Sequence, residues 1–158
     1  MAQDGSGDEI PRFLNVGAGE ERFDAELVED FLGQTSDLIQ EAERLVMKLE
    51  SGKGTAGEVR ALFRVLHTIK GDSASLALSE FVNLVHAAEG YLQKFAGAAT
   101  PLSAISASTL LEVVDALGAL TDNLRERSKF LQGRTGNPRY LAVGLKPLIG
   151  KLIELSGK

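Results

Sequence analysis

His67 lies eleven residues before Leu78 and Glu89 eleven residues after it, and Lys70 and His86 are likewise equidistant from that point. In an antiparallel pair of helices, residues whose numbers share a sum lie level. A chain that folds back at Leu78 therefore sets an imidazole opposite a carboxylate, with an ammonium and a second imidazole one turn away. A carboxylate that accepts a hydrogen bond from one ring nitrogen fixes the tautomer and leaves the lone pair of the other nitrogen facing outward. That free nitrogen is a nucleophile. The bonded carboxylate stabilises positive charge on the ring as the nitrogen attacks an electrophile, and Lys70 can offset negative charge on the group attacked.

These residues need two helices to carry them, and the apolar spacing supplies both. Thr55 followed three residues later by Glu58 forms a capping box, after which Val59, Leu62, Phe63, Leu66 and Ile69 make an apolar stripe. This helix is predicted to run through His67 to about Leu76. Lys70, Gly71 and Ala74 share its side with His67, and the small residues leave low ground where a phosphoryl group or another protein can approach the ring. Ser79 offers a cap for the next helix, which carries Phe81, Leu84, Val85, Ala88, Leu92 and Phe95. On it, Val82, His86, Glu89 and Gln93 fall three or four apart on the flank of the core stripe.

A further helix precedes this pair, with Phe23, Leu27, Phe31, Leu38, Ala42, Leu45 and Leu49 at helical spacing and an end at Ser51-Gly52-Lys53-Gly54. Another follows it, with Leu110, Val113, Leu117, Leu120, Leu124 and Leu131. After a break from Gly133 to Pro138, Leu141, Leu145, Leu148, Leu152 and Leu155 form a last stripe that Pro147 interrupts. A proline there either kinks one helix or supplies the first turn of a second. No stretch alternates with period two. The fold class expected is all-α, an antiparallel four-helix bundle with an additional C-terminal helix. Residues 1–20, rich in glycine and acids, are expected to be a mobile lead-in, and residues 21–158 the functional domain.

The 158 residues suffice for one core, and the 44% hydrophobic and 25% charged fractions are those of a globular protein. No apolar run approaches the ~18 residues of a membrane span, so no membrane insertion is expected. Met1–Gly7 does not read as a secretory signal, and the absence of cysteine excludes a disulfide framework and fits a cytoplasmic protein. With 17 basic against 22 acidic residues, the net charge of -5 makes nucleic acid an unfavoured partner. There is no phosphate-cradling glycine loop and no evident magnesium cluster, so any phosphoryl donor must come from outside.

The string His67-Thr68-Ile69-Lys70-Gly71-Asp72-Ser73-Ala74-Ser75 resembles the phospho-accepting motif of the histidine-phosphotransfer family, and His86-Ala87-Ala88-Glu89 matches a second motif at the right distance. The N-terminal phosphotransfer domain of CheA-type chemotaxis kinases is the most similar in appearance, over about residues 21 to 155. The resemblance implies that His67 is phosphorylated on its outer ring nitrogen, that Glu89 holds the inner one, and that Lys70 and His86 complete the network. It also implies a phosphoryl group arriving from the ATP-bound catalytic domain of a histidine kinase and leaving to an aspartate of a response-regulator receiver domain. The domain would bind no cofactor itself, with ATP and magnesium brought by those partners. The chain would then be the front piece of a longer CheA-like kinase or a free-standing carrier. It departs from the family at Ala77, where many members have glycine, and at Asp72, a charge in a motif normally filled by small neutral residues, which is expected to tune partner choice.

Two rival readings use the same residues. His67, His86 and Glu89 are a possible ligand set for a divalent metal between helices, although the ammonium of Lys70 would repel a cation. A helical adaptor that docks partners without chemistry explains the acidic surface and the leucine stripes but leaves the levelled pairs as coincidence. Taken singly, His67 would be a boundary histidine, Glu89 a solvated acid and Lys70 a solvated helix charge; the pairing is what promotes them.

Overall fold

In the computed structural model, residues 25–97, 100–133 and 143–157 are described. The lead-in expected over residues 1–20 and the stripe residues Phe23 and Leu141 lie outside them. Five α-helices form: α1 (Ala25–Glu50), α2 (Ala56–Ser75), α3 (Ser79–Gln93), α4 (Ala107–Leu131) and α5 (Leu145–Ser156), with a short 3-10 turn at Leu102–Ala104. Among the described residues there is no strand, and no helix is long and apolar enough to cross a membrane.

Two helices, α2 and α4, start where a side chain satisfies the first orphan amides. The capping box of α2 is present in full: the Gly57 amide donates to Thr55 Oγ1 at 3.1 Å and the Thr55 amide to Glu58 Oε1 at 2.6 Å. For α4, Ser106 Oγ accepts from the Thr109 amide at 3.2 Å, while the Ser106 amide donates to the Tyr91 hydroxyl at 2.7 Å, pinning the α3–α4 connection to α3. The cap expected from Ser79 is corrected: Ser79 is the first residue of α3 and Leu78 precedes it without a side-chain cap. Leu78 takes that place because the turn needs it elsewhere. Its amide reaches back to Ser73 O at 3.0 Å while the Ala77 amide bonds Ala74 O at 3.0 Å, the bond pattern of a Schellman motif. The motif requires a left-handed residue, and Ala77 supplies it at φ 58°.

Pro147 stands third in α5, so the last stripe is carried by a helix beginning at Leu145 with the proline in its first turn, where a missing N–H costs nothing. Packing follows the apolar stripes. α1 lies on α2 and α4, α2 on α3, and α3 on α4, closing a ring of four, with α5 added against α3 and α4. The all-α bundle with an additional C-terminal helix is thus what forms. Phe31 of α1 meets Phe81 of α3 edge-on at 5.4 Å across the middle of the ring, and Leu62, Leu66, Ile69 and Leu84 are buried around them. Burying each such side chain contributes about 1.5–3 kcal/mol. Leu27, expected in the α1 stripe, is instead 51% exposed, because Val28, Phe31, Leu32, Thr35 and Ala42 set the buried face one position round the helix. Lys94 donates to the carbonyl of Leu155 at 2.8 Å, placing a cation at the negative end of α5 and fastening it to α3.

Candidate functional site

The three-residue turn from Leu76 to Leu78 leaves α2 and α3 side by side, and their flanks meet along one seam. On α3, Ala88 and Leu92 point into the core, so Glu89 falls at its edge and is drawn under α2 with only 6% of its side chain exposed. A carboxylate so placed must be paired. His67 Nδ1 lies 2.9 Å from Glu89 Oε2, and Lys70 Nζ lies 2.5 Å from Glu89 Oε1. Both acceptor oxygens are used, one by each residue of α2.

An ionised carboxylate can only accept, so Nδ1 of His67 carries the proton and Nε2 carries the lone pair. The His67 side chain is 66% exposed, which opens that lone pair to solvent. The ring is also braced from behind. Phe63, four residues earlier on α2, stacks against it with planes 9° apart and centroids 6.3 Å apart. Two contacts, one polar and one aromatic, therefore fix the ring's plane and its tautomer together. Gly71 opens to solvent, for a Cβ built there meets nothing within 4 Å, so the domain's own packing does not require glycine at this position.

Of the four residues singled out in the sequence, the structure brings together His67, Glu89 and Lys70. It does not bring in His86, which is exposed and makes no hydrogen bond or ion pair among the described residues. Lys70 reaches past the level of His86 because its long stem can bring the ammonium to the buried carboxylate, where the charge is better compensated than beside a second imidazole. The expected membership of His86 in the network is corrected on that ground. The metal alternative loses its ligand set by the same geometry: among the described residues no group of three His, Asp or Glu side chains is placed to hold an ion, and both oxygens of Glu89 are already bonded. Asp72 is half-buried and to the side.

Sequence reasoning treated Phe63 only as part of the core stripe. Its spacing of four from His67 on one helix face was the available signal. Arg64, three residues before His67, carried no sequence signal of its own; with Phe63, His67 and Thr68 it lines a shallow hollow beside the ring. Thr68 donates its hydroxyl to the carbonyl of Arg64 at 3.0 Å, a bond internal to the helix.

Comparison with known proteins bears on this seam. The family model described as the Hpt domain matches residues 26–126, which span α1 to α3 and most of α4. The chemotaxis protein CheA of Treponema pallidum is 24% identical over 98 residues, covering 62% of this chain and 12% of that protein. The sensor histidine kinase CheAY of Helicobacter pylori is 26% identical over 101 residues, covering 64% of this chain and 13% of that one. The chain thus corresponds to a small part of the length of either relative, and the matched part includes both His67 and Glu89.

Proposed function

The chain belongs to the Hpt domain family, and from that premise we propose that it is a phosphoryl carrier in two-component signalling with His67 as the acceptor. Nε2 attacks the γ-phosphorus of ATP held in the catalytic domain of a CheA-like histidine kinase. The N–P bond forms as the bond from phosphorus to the ADP oxygen breaks, and ADP leaves with the electron pair. The Nδ1 proton stays on the ring throughout, bonded to Glu89, whose negative charge stabilises the positive charge that builds on the imidazole during attack. In the second transfer a receiver aspartate attacks the same phosphorus, the N–P bond breaks, and its electrons return to Nε2.

Between these events the chain does little chemistry of its own. It holds one nucleophile in one orientation, and the partners bring ATP, magnesium and the acceptor. The observation that carries the proposal is the combination at His67 of a carboxylate 2.9 Å from Nδ1 with a side chain 66% exposed. A histidine kept for packing would be buried, and a solvated one would not recruit a buried acid. The open surface at Gly71 supports close approach of a partner's active site to the ring.

The test is transfer of label from ATP by a CheA-type kinase to the unmodified chain and to His67→Gln. Label on the unmodified chain that is absent from the variant and passes on to a receiver domain is the expected result. Equal label on both removes His67 from the mechanism.

A further inference from the structure

Lys70 was the residue expected to meet the phosphoryl oxygens, and the structure commits its ammonium to Glu89 at 2.5 Å. A phosphoryl group on Nε2 would project away from that pair, since Nε2 is the nitrogen turned from Glu89. It would enter the hollow lined by Phe63, Arg64, His67 and Thr68. Of those four, Arg64 is the permanent cation. Its side chain is exposed and makes no hydrogen bond or ion pair among the described residues, while the Thr68 hydroxyl is donated to backbone.

We propose that Arg64 is the phosphoryl-binding cation of this site, receiving the oxygens of phospho-His67 in the hollow while Lys70 serves the buried carboxylate. The proposal rests on the reading of His67 as phosphoryl acceptor and assigns the two cations different tasks. Arg64 lies one helical turn before His67, within reach of a group on the ring, and its planar fork of N–H donors matches two phosphoryl oxygens at once. Phe63 adds to this by stacking on the ring, which limits the ring's rotation beside the hollow. No carboxylate lines the hollow to compete for the guanidinium. Arg60, a turn further back, shares with Arg64 an adjoining groove between α2 and α3, so the positive charge continues along α2 from the hollow.

The experiment uses the full chain and phosphoramidate, a small donor that needs no partner protein. Nε2 displaces ammonia from phosphorus, forming the N–P bond as the donor's P–N bond breaks. Rates are measured for the unmodified chain, His67→Gln, Arg64→Gln and Arg64→Lys, and the phosphorylated forms are titrated by 31P NMR. Arg64→Gln is expected to slow labelling about threefold to tenfold, an effect small for an arginine because the site is wet. It is also expected to move the phosphoryl titration midpoint to higher pH, since a nearby cation favours the dianion. Arg64→Lys should restore most of the midpoint but less of the rate, because a point charge replaces the fork. Raising the salt concentration should shrink both differences. A chain labelled on His67 whose rate and midpoint ignore Arg64→Gln overturns the Arg64 assignment alone. An unmodified chain that takes no label, or takes it equally with His67→Gln, overturns the acceptor reading and the assignment with it.

Discussion

Two glutamates of this domain each hold a lysine and one other residue, and they do opposite things. Glu58, in the first turn of α2, accepts from the Thr55 amide at 2.6 Å, the Thr55 hydroxyl at 2.8 Å and Lys48 at 3.1 Å. Glu89 accepts from His67 and Lys70 across the α2–α3 seam. The first acid spends its charge on a helix end, and nothing it touches is left with an unused reactive atom. The second is buried and its imidazole partner has a nitrogen to spare, held outward. Separation in sequence goes with the difference. Thr55 is three residues from Glu58, whereas His67 is 22 residues from Glu89, so the second pairing exists only once two helices have docked. A local acid builds the fold; an acid that the fold must bring in can orient a nucleophile.

That contrast predicts which changes cost chemistry and which cost stability. The largest effect belongs to His67→Gln, which is expected to reduce phosphorylation to background. Because Lys70 still pairs the buried carboxylate, the loss of folding stability should stay within about 1–3 kcal/mol, read from urea midpoints. Glu89→Gln keeps the shape of the side chain and removes its charge, so the ring loses both its fixed tautomer and its counter-charge. Phosphorylation should slow about tenfold to a hundredfold, as when a group that orients a histidine is removed elsewhere. Lys70 keeps enough exposure to turn its ammonium toward water, so the helical signal should persist. An unchanged rate in Glu89→Gln would put the two glutamates in one class and end the comparison.

The helical periods and the equal distances from Leu78 made the bundle and the His67–Glu89 pairing legible before any coordinates, because both follow from regular rise and rotation. What stayed hidden depends on side-chain reach and azimuth. Equal numbering placed Lys70 level with His86, yet a lysine stem spans nearly a turn and a buried carboxylate attracts the charge more strongly than an imidazole does. The stacking of Phe63 on His67 was hidden for a related reason: a residue at the border of a stripe serves core and surface together, and the pattern alone counts it once. Ser79 misled because a serine before an apolar run is ordinarily a cap. Here the Schellman turn had already assigned that place to Leu78.

At Glu58 the expected losses are of stability alone. Thr55→Ala removes the hydroxyl of the capping box and should cost about 1 kcal/mol with phosphorylation at the unmodified rate. The acid itself provides a test by pH. Hydrogen bonds from the Thr55 amide, then from the Thr55 hydroxyl and Lys48, hold the Glu58 carboxyl down from 4.5 to about 2. A carboxyl depressed in the folded state stabilises the fold above its unfolded value and loses that contribution as it becomes protonated. The gap in urea midpoint between the unmodified chain and Glu58→Ala should therefore be full above about pH 4.5 and close as pH falls toward 2. A gap of constant size would mean that the charge of Glu58 contributes nothing and only its shape matters.

The smallest expected effect sharpens the comparison most, because it touches the turn that levels His67 with Glu89 while leaving both in place. Ala77 holds φ 58°, where a Cβ is crowded and glycine is not. Ala77→Gly relieves roughly 1 kcal/mol of that crowding but returns part of it by loosening the unfolded chain, so a net gain near 0.5 kcal/mol is expected in urea unfolding. The Schellman bonds from Ala77 and Leu78 are made by backbone and survive the change. Phosphorylation should then proceed at the unmodified rate. A faster or slower rate in a chain with the His67–Glu89 contact intact would mean that the register of the α2–α3 turn, rather than the charge of the buried acid, limits how well the imidazole is presented.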